Sequence, residues 1–163
     1  MIDIGVHIAD LLRWFMGKKV KAVCADIGRL EKKLPVDDNG NVLLKFEGGS
    51  IGGFECSWTT RPYEVNTFIY GQKGKMTTSL GRSNPVIVTL AKTQKGEDPN
   101  CTLQEITPSI GSGDAWTKAM HYFIKCILEK QKPFVSGEEG KATIEVILAA
   151  YKSAESGKWI EVK

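Results

Sequence analysis

Asp3-Ile4-Gly5-Val6-His7-Ile8-Ala9-Asp10-Leu11-Leu12-Arg13-Trp14 opens the chain as an amphipathic helix with chemistry on one side. Asp3, His7 and Asp10 follow one another at spacings of four and three, which stacks a carboxylate, an imidazole and a second carboxylate on one helical face. Ile4, Ile8, Leu11, Leu12 and Phe15 fall at complementary spacings and form an apolar stripe that can dock on a core. Gly17 is placed to cap the helix, and Lys18-Lys19 follow where cations favour the carbonyl end of the dipole. Because this chemistry starts at residue 3, we expect a domain whose usual preceding portion has been removed.

Outward from the helix the period changes. Segments 20–29, 41–47, 50–59, 64–70, 74–80, 85–92 and 101–107 are rich in β-branched and aromatic residues and predict strands. The joins are short: Asp38-Asn39-Gly40-Asn41 reads as a tight turn, and Glu47-Gly48-Gly49-Ser50 and Gly71-Gln72-Lys73-Gly74 read as hairpin loops. Strands joined in this way pair antiparallel, since a parallel pair needs a crossover of a dozen residues or more.

Helical spacing returns with Trp116, Ala119, Met120, Phe123, Ile124, Ile127 and Leu128, which predict a packed amphipathic helix stopped by Pro133. Ser136 or Gly137 opens a third helix to about Glu155 with Ile144, Ile147, Leu148 and Tyr151 inward; Gly157 ends it before a strand from Lys158 to Val162. Strands and helices segregated in this order indicate an α+β fold, a large, mostly antiparallel or mixed open sheet with helices packed on one face. No linker divides residues 1–163, so one domain is expected. The helix-free sheet face, near Phe54, Cys56 and Trp58, is partly apolar, and self-association into a symmetric dimer would bury it.

Composition narrows the function classes. Hydrophobic residues make up 42% and charged residues 25%, and the net charge of +3 is spread along the chain without basic runs, which speaks against nucleic-acid binding. Cys24, Cys56, Cys101 and Cys126 are widely separated and form no Cys-x-x-Cys pair, so reduced, buried thiols are expected. With no secretory signal pattern and no apolar run long enough for a membrane span, the chain reads as cytoplasmic.

Among the polar residues, His7 stands out because histidine is the residue type whose unperturbed pKa, about 6.5, lets a side chain take and return a proton near neutrality, and a neighbouring carboxylate orients the ring. The competing reading of Asp3 is helix capping. Only His7 and His121 are present, too few for a zinc site, and His121 reads as a partly buried helix residue. Arg61, followed by Pro62 and Tyr63, is either a polar contact for a hydroxylated ligand or an ordinary loop arginine. Gly111-Ser112-Gly113 lacks a third glycine at the dinucleotide spacing, since Trp116 stands there, and no phosphate-loop string exists. No cofactor-binding residue and no metal ligand is therefore assigned to this chain.

Asp3-Ile4-Gly5-Val6-His7-x-x-Asp10-Leu11-x-x-Trp14-x-x-Gly17 resembles the opening of the C-terminal domain of the glucose-fructose oxidoreductase / inositol dehydrogenase / MocA family. Asp37-Asp38-Asn39-Gly40, Phe46-Glu47-Gly48-Gly49-Ser50, Ser57-Trp58 and Ile69-Tyr70-Gly71-x-x-Gly74-Lys75-Met76 resemble its sheet. Pro133-x-x-x-Gly137 and Ala149-Ala150-Tyr151-x-Ser153-Ala154-x-x-Gly157 resemble its closing helices.

The resemblance implies the substrate-binding and oligomerisation half of a two-domain dehydrogenase, with a fold like the C-terminal domain of glyceraldehyde-3-phosphate dehydrogenase-type enzymes. The other half would be an N-terminal Rossmann domain that binds NAD or NADP, present in cis or in trans. His7 is then the general acid/base for a sugar or polyol hydroxyl and Asp3 its partner in proton relay and substrate binding; the residue reading adds Asp10 and Arg61 as candidate substrate contacts beside Asp3 and His7. The family's Glu-Lys-Pro lysine would belong to the other half, because Glu31-Lys32-Lys33 is followed by Leu34 rather than proline. The chain alone is expected to be inactive. The alternatives are a non-enzymatic dimeric scaffold or carbohydrate-binding relic, and one chain of a two-chain dehydrogenase.

Overall fold

A computed structural model describes the chain except for residues 32, 34, 81, 82, 92–102, 110 and 112. Lys32, Cys101 and Ser112, which the sequence reading singles out, lie outside the described residues. The described part contains α1 (Ile4–Met16), β1 (Val20–Gly28), β2 (Asn39–Phe46), β3 (Ile51–Ser57), β4 (Asn66–Gly71), β5 (Gly74–Ser79), β6 (Val86–Ala91), β7 (Leu103–Ile106), α2 (Ala115–Leu128), α3 (Gly137–Ser156) and β8 (Ile160–Glu161). The expected α+β class holds, and every strand pair is antiparallel. The strands are shared between two four-stranded sheets, in the orders β3-β2-β1-β8 and β4-β5-β6-β7. Two compact units contain them: Met1–Thr60 with Tyr122–Lys163, and Arg61–His121.

In the first unit, α1 and α3 cover one face of the sheet. β2 alternates strictly, with Val42, Leu44 and Phe46 buried and Asn41, Leu43 and Lys45 between them facing away. Val23 of β1 and Val146, Ile147 and Ala150 of α3 complete the core with Ala9 of α1. Phe54 and Cys56 pack on this covered side, so the open face presents Leu43 and Ile51, which are 57% and 78% exposed.

The third helix turns a different face inward from the one its large residues predict. Ile147 is fully buried, but Ile144 and Leu148 are 39% and 51% exposed, while Thr143, Ala150 and Ser153 are buried. Small side chains let the helix come close to β1, where the Ala25 N–H donates to Ser153 Oγ at 2.9 Å and that hydroxyl donates to the Lys158 carbonyl at 2.6 Å. The helix starts after Ser136, whose hydroxyl donates to Glu138 Oε2 at 2.6 Å; that bond, with Lys132 nearby, holds the Glu138 carboxyl down at about 2.

Asp38-Asn39-Gly40-Asn41 is not a turn. Asn39 begins β2, and Gly40 pairs with Ile27 on one side and Cys56 on the other. A Cβ at Gly40 would meet the Met1 methyl group, the mobile end of a flexible side chain that can move aside. Asp38 is buried and accepts the backbone N–H groups of Leu30 and Glu31 at 2.7 and 2.9 Å, closing the β1–β2 connection. The two hairpin loops are as expected: Gly48 and Gly49 take φ of 77° and 87°, and β4 and β5 close across Gly71 and Gly74.

Two packing expectations are corrected. Of α2 only Cys126 is buried, whereas Phe123, Ile127 and Leu128 are 53%, 61% and 77% exposed, so the apolar stripe exists without a described surface packed over it. His121 on this helix is exposed rather than partly buried. Cys24, Cys56 and Cys126 are free thiols; only Cys126 is fully buried, and burial pushes the Cys56 thiol above its ordinary value. No described helix is long and apolar enough to cross a membrane.

Candidate functional site

The polar face of α1 forms one wall of a cleft of about 940 Å³ that lies within the first unit. His7 and Asp10 line it, together with Trp14, Lys18, Phe134 and Glu139. The helix presents this face because Gly5 and Ala9, on its opposite side, are buried in the core. It ends where expected, at Gly17, whose φ of 57° closes the last turn onto the Arg13 carbonyl at 3.0 Å.

Asp3 occupies the residue before the helix, yet its side chain makes no capping hydrogen bond. Capping therefore does not account for it, and its exposed carboxylate stands one turn before His7. His7 is exposed too, and neither side chain has a polar partner among the described residues. Asp3 is not part of the cleft wall around His7.

Asp10 is held differently. The Thr143 hydroxyl donates to Asp10 Oδ1 at 2.9 Å and accepts from Arg13 Nη1 at 2.6 Å. Arg13 Nη2 meets Glu139 Oε2 at 2.8 Å, and Nη1 also donates to the Glu139 carbonyl at 3.1 Å. This network joins α1 to α3 across about 130 positions of sequence, which is why Arg13 and Thr143 were not legible as site residues. The Arg13 side chain is only 10% exposed. Arg13→Ala should lower stability by about 2 kcal/mol in a denaturant titration, because the Thr143 and Asp10 groups it pairs are left behind.

Arg61 is exposed in the second unit, while residues of the first unit alone wall the cleft. The glycine-containing segment before α2 does not fit a dinucleotide. The Asp114 carboxylate already accepts the Thr117 N–H and hydroxyl, each at 2.8 Å, so it fills the helix start with negative charge where a pyrophosphate would need free N–H groups. Those bonds, with the Thr117 N–H foremost, hold the Asp114 carboxyl below its usual value. Among the described residues no group of three or more His, Cys, Asp or Glu side chains converges as a metal site.

Residues 1–77 match the family model described as the GFO/IDH/MocA C-terminal domain. A myo-inositol 2-dehydrogenase from Thermotoga maritima is 26% identical over 99% of this chain and 48% of its own length. An aldose-aldose oxidoreductase from Caulobacter crescentus, solved with glycerol, superposes with a TM-score of 0.79 at 20% identity over 98% of this chain and 46% of its own. A levoglucosan dehydrogenase solved with NADH superposes with a TM-score of 0.81 at 20% identity, over 99% and 49%. The chain thus spans about half the length of the curated relatives it matches. With its helix-covered antiparallel sheet and the match over its first 77 residues, the chain is similar to the GFO/IDH/MocA C-terminal domain family.

Proposed function

We propose that this chain is the substrate-binding and oligomerisation half of an NAD(P)-dependent oxidoreductase that acts on a sugar, polyol or related hydroxy compound. The observation that carries this reading is the unpartnered Asp3/His7 pair on the open face of α1, with His7 facing the cleft. An exposed histidine lining the cleft is suited to take a hydroxyl proton from a substrate, and Asp3 stands one turn earlier as a carboxylate that can pass the proton on. Relatives point the same way: one is a myo-inositol 2-dehydrogenase, and a structural neighbour was solved with NADH. The cofactor would be held by a Rossmann domain in cis or in trans, since the Gly-x-Gly segment before α2 lacks the dinucleotide spacing and the start of that helix is filled by Asp114. The bare apolar side of α2 is a surface such a domain would cover.

The deciding experiment is calorimetric titration of the purified chain with NADH and with NADPH, beside light scattering. A well-folded dimer that binds neither supports the reading, and micromolar binding of either overturns it. The dimer would form through the open sheet face, where Leu43 stands beside Gly53 and the rows Asp26-Asn41-Glu55 and Ala22-Lys45-Ile51 flank it. A two-fold axis through the Leu43 row sets the acidic end of one copy against Lys45 of the other. Leu43→Glu should therefore shift the chain to monomer in light scattering while leaving its melting temperature nearly unchanged.

A further inference from the structure

The face of α1 that carries His7 does not stop at it. His7, Leu11, Trp14 and Lys18 repeat at spacings of four, three and four, so they form one stripe, and all four line the same cleft. Trp14 lies two turns beyond His7, about 10 Å along the axis. Its indole is 58% exposed and is braced from behind by Phe15, with ring centroids 5.1 Å apart. An indole that lines a cleft offers a flat apolar surface for the apolar side of a ligand to cover.

The polar groups around the indole define what that is. Asp10 and Glu139 each commit one oxygen to the Arg13–Thr143 network and keep the other, and Lys18 binds only the Ser50 hydroxyl, at 3.2 Å. Acids and bases balance along the cleft, with Asp10, Glu47 and Glu139 against Arg13, Lys18 and Lys19. An ionic ligand gains nothing from such a lining. A neutral, polyhydroxylated ring suits it, because its C–H face can stack on an indole while hydroxyls at its edge both donate to carboxylates and accept from lysines. The cleft volume of about 940 Å³ lies at the upper end of the range for small-molecule sites and is more than one sugar ring needs.

We propose that the cleft has a second subsite at Trp14, and that the substrate is a disaccharide or glycoside with its reacting hydroxyl at His7 and its second ring stacked on the Trp14 indole. This rests on the reading of His7 as a sugar or polyol site. Stacking of one ring is worth about 1 kcal/mol, or five- to tenfold in affinity.

The test titrates the 163-residue chain with glucose, cellobiose and maltose, following saturation transfer to the sugars and the His7 ring signals. One of the disaccharides should bind five- to tenfold more tightly than glucose. The advantage should vanish in Trp14→Ala and return in Trp14→Phe, with circular dichroism confirming the fold of both. Equal affinity for glucose and both disaccharides, or an advantage that survives Trp14→Ala, overturns the subsite and leaves the sugar reading standing. If no sugar binds and none shifts the His7 signals, the sugar reading falls and the subsite with it.

Discussion

In a polypeptide that joins this domain to a dinucleotide-binding Rossmann domain, His7→Ala should lower kcat by a factor of 10²–10⁴ with little change in KM. That range is what a positioned general acid/base contributes. The split between kcat and KM follows from geometry: His7 would meet the hydroxyl whose proton moves, while the remaining substrate contacts lie further along the cleft. The pH profile carries a second signature. The limb of kcat/KM that a general base imposes should disappear in the variant. Asp3→Asn, which leaves the base in place but removes the neighbouring carboxylate charge, should cost roughly tenfold. The 163-residue chain alone should show no NAD(P)-dependent turnover with any polyol or sugar, because removing a proton does not oxidise a carbinol without a hydride acceptor beside it. Turnover from the isolated chain, or a His7→Ala variant as active as the parent, would refute the assignment.

The parts of this structure that were legible in the sequence are those fixed by local backbone chemistry. Gly17 and Gly157 end their helices with φ of 57° and 66°, as their positions after the last periodic residue predict, and the Gly48-Gly49 loop needs the positive φ that only glycine adopts cheaply. The misreadings share a cause, which is contact between residues far apart. Asn39-Gly40 looks like a turn because the dipeptide tolerates left-handed φ, but pairing of Gly40 with Ile27 on one side and Cys56 on the other holds it inside β2. The inward face of α3 cannot be read from hydrophobicity alone, since Ala150 and Ser153 win the contact by being small and Leu148 loses it by being large. In the site, His7 and Asp10 both line the cleft, while Asp3 precedes the helix and stands outside the cleft wall. The spacing of the three says nothing of Thr143 and Glu139, which separate Asp10 in role from the other two.

Ile147→Ala should destabilise the first unit by about 3–4 kcal/mol, whereas Leu148→Ala, one position along the same helix, should cost less than 1 kcal/mol. Both substitutions delete branched aliphatic carbons and both gain helix propensity, so the difference isolates burial. Ile147 is fully buried among Val23, Val42 and Leu44, while Leu148 is half in solvent. The gap left at 147 has little chance to collapse. The flanking Val146 and Ala150 are already packed onto β1, and the Ser153 hydroxyl pins the helix to the Ala25 N–H and the Lys158 carbonyl. Urea unfolding followed by far-ultraviolet circular dichroism reads both values, and equal losses for the two variants would mean that α3 is rotated from the orientation described. The helix also carries Thr143 and Glu139, one and two turns before Ile147, and these are the groups that seat Arg13 and Asp10. Core damage at 147 should therefore reach the cleft, and a variant that still folds should bind its sugar more weakly although the substituted side chain lies outside the cleft wall.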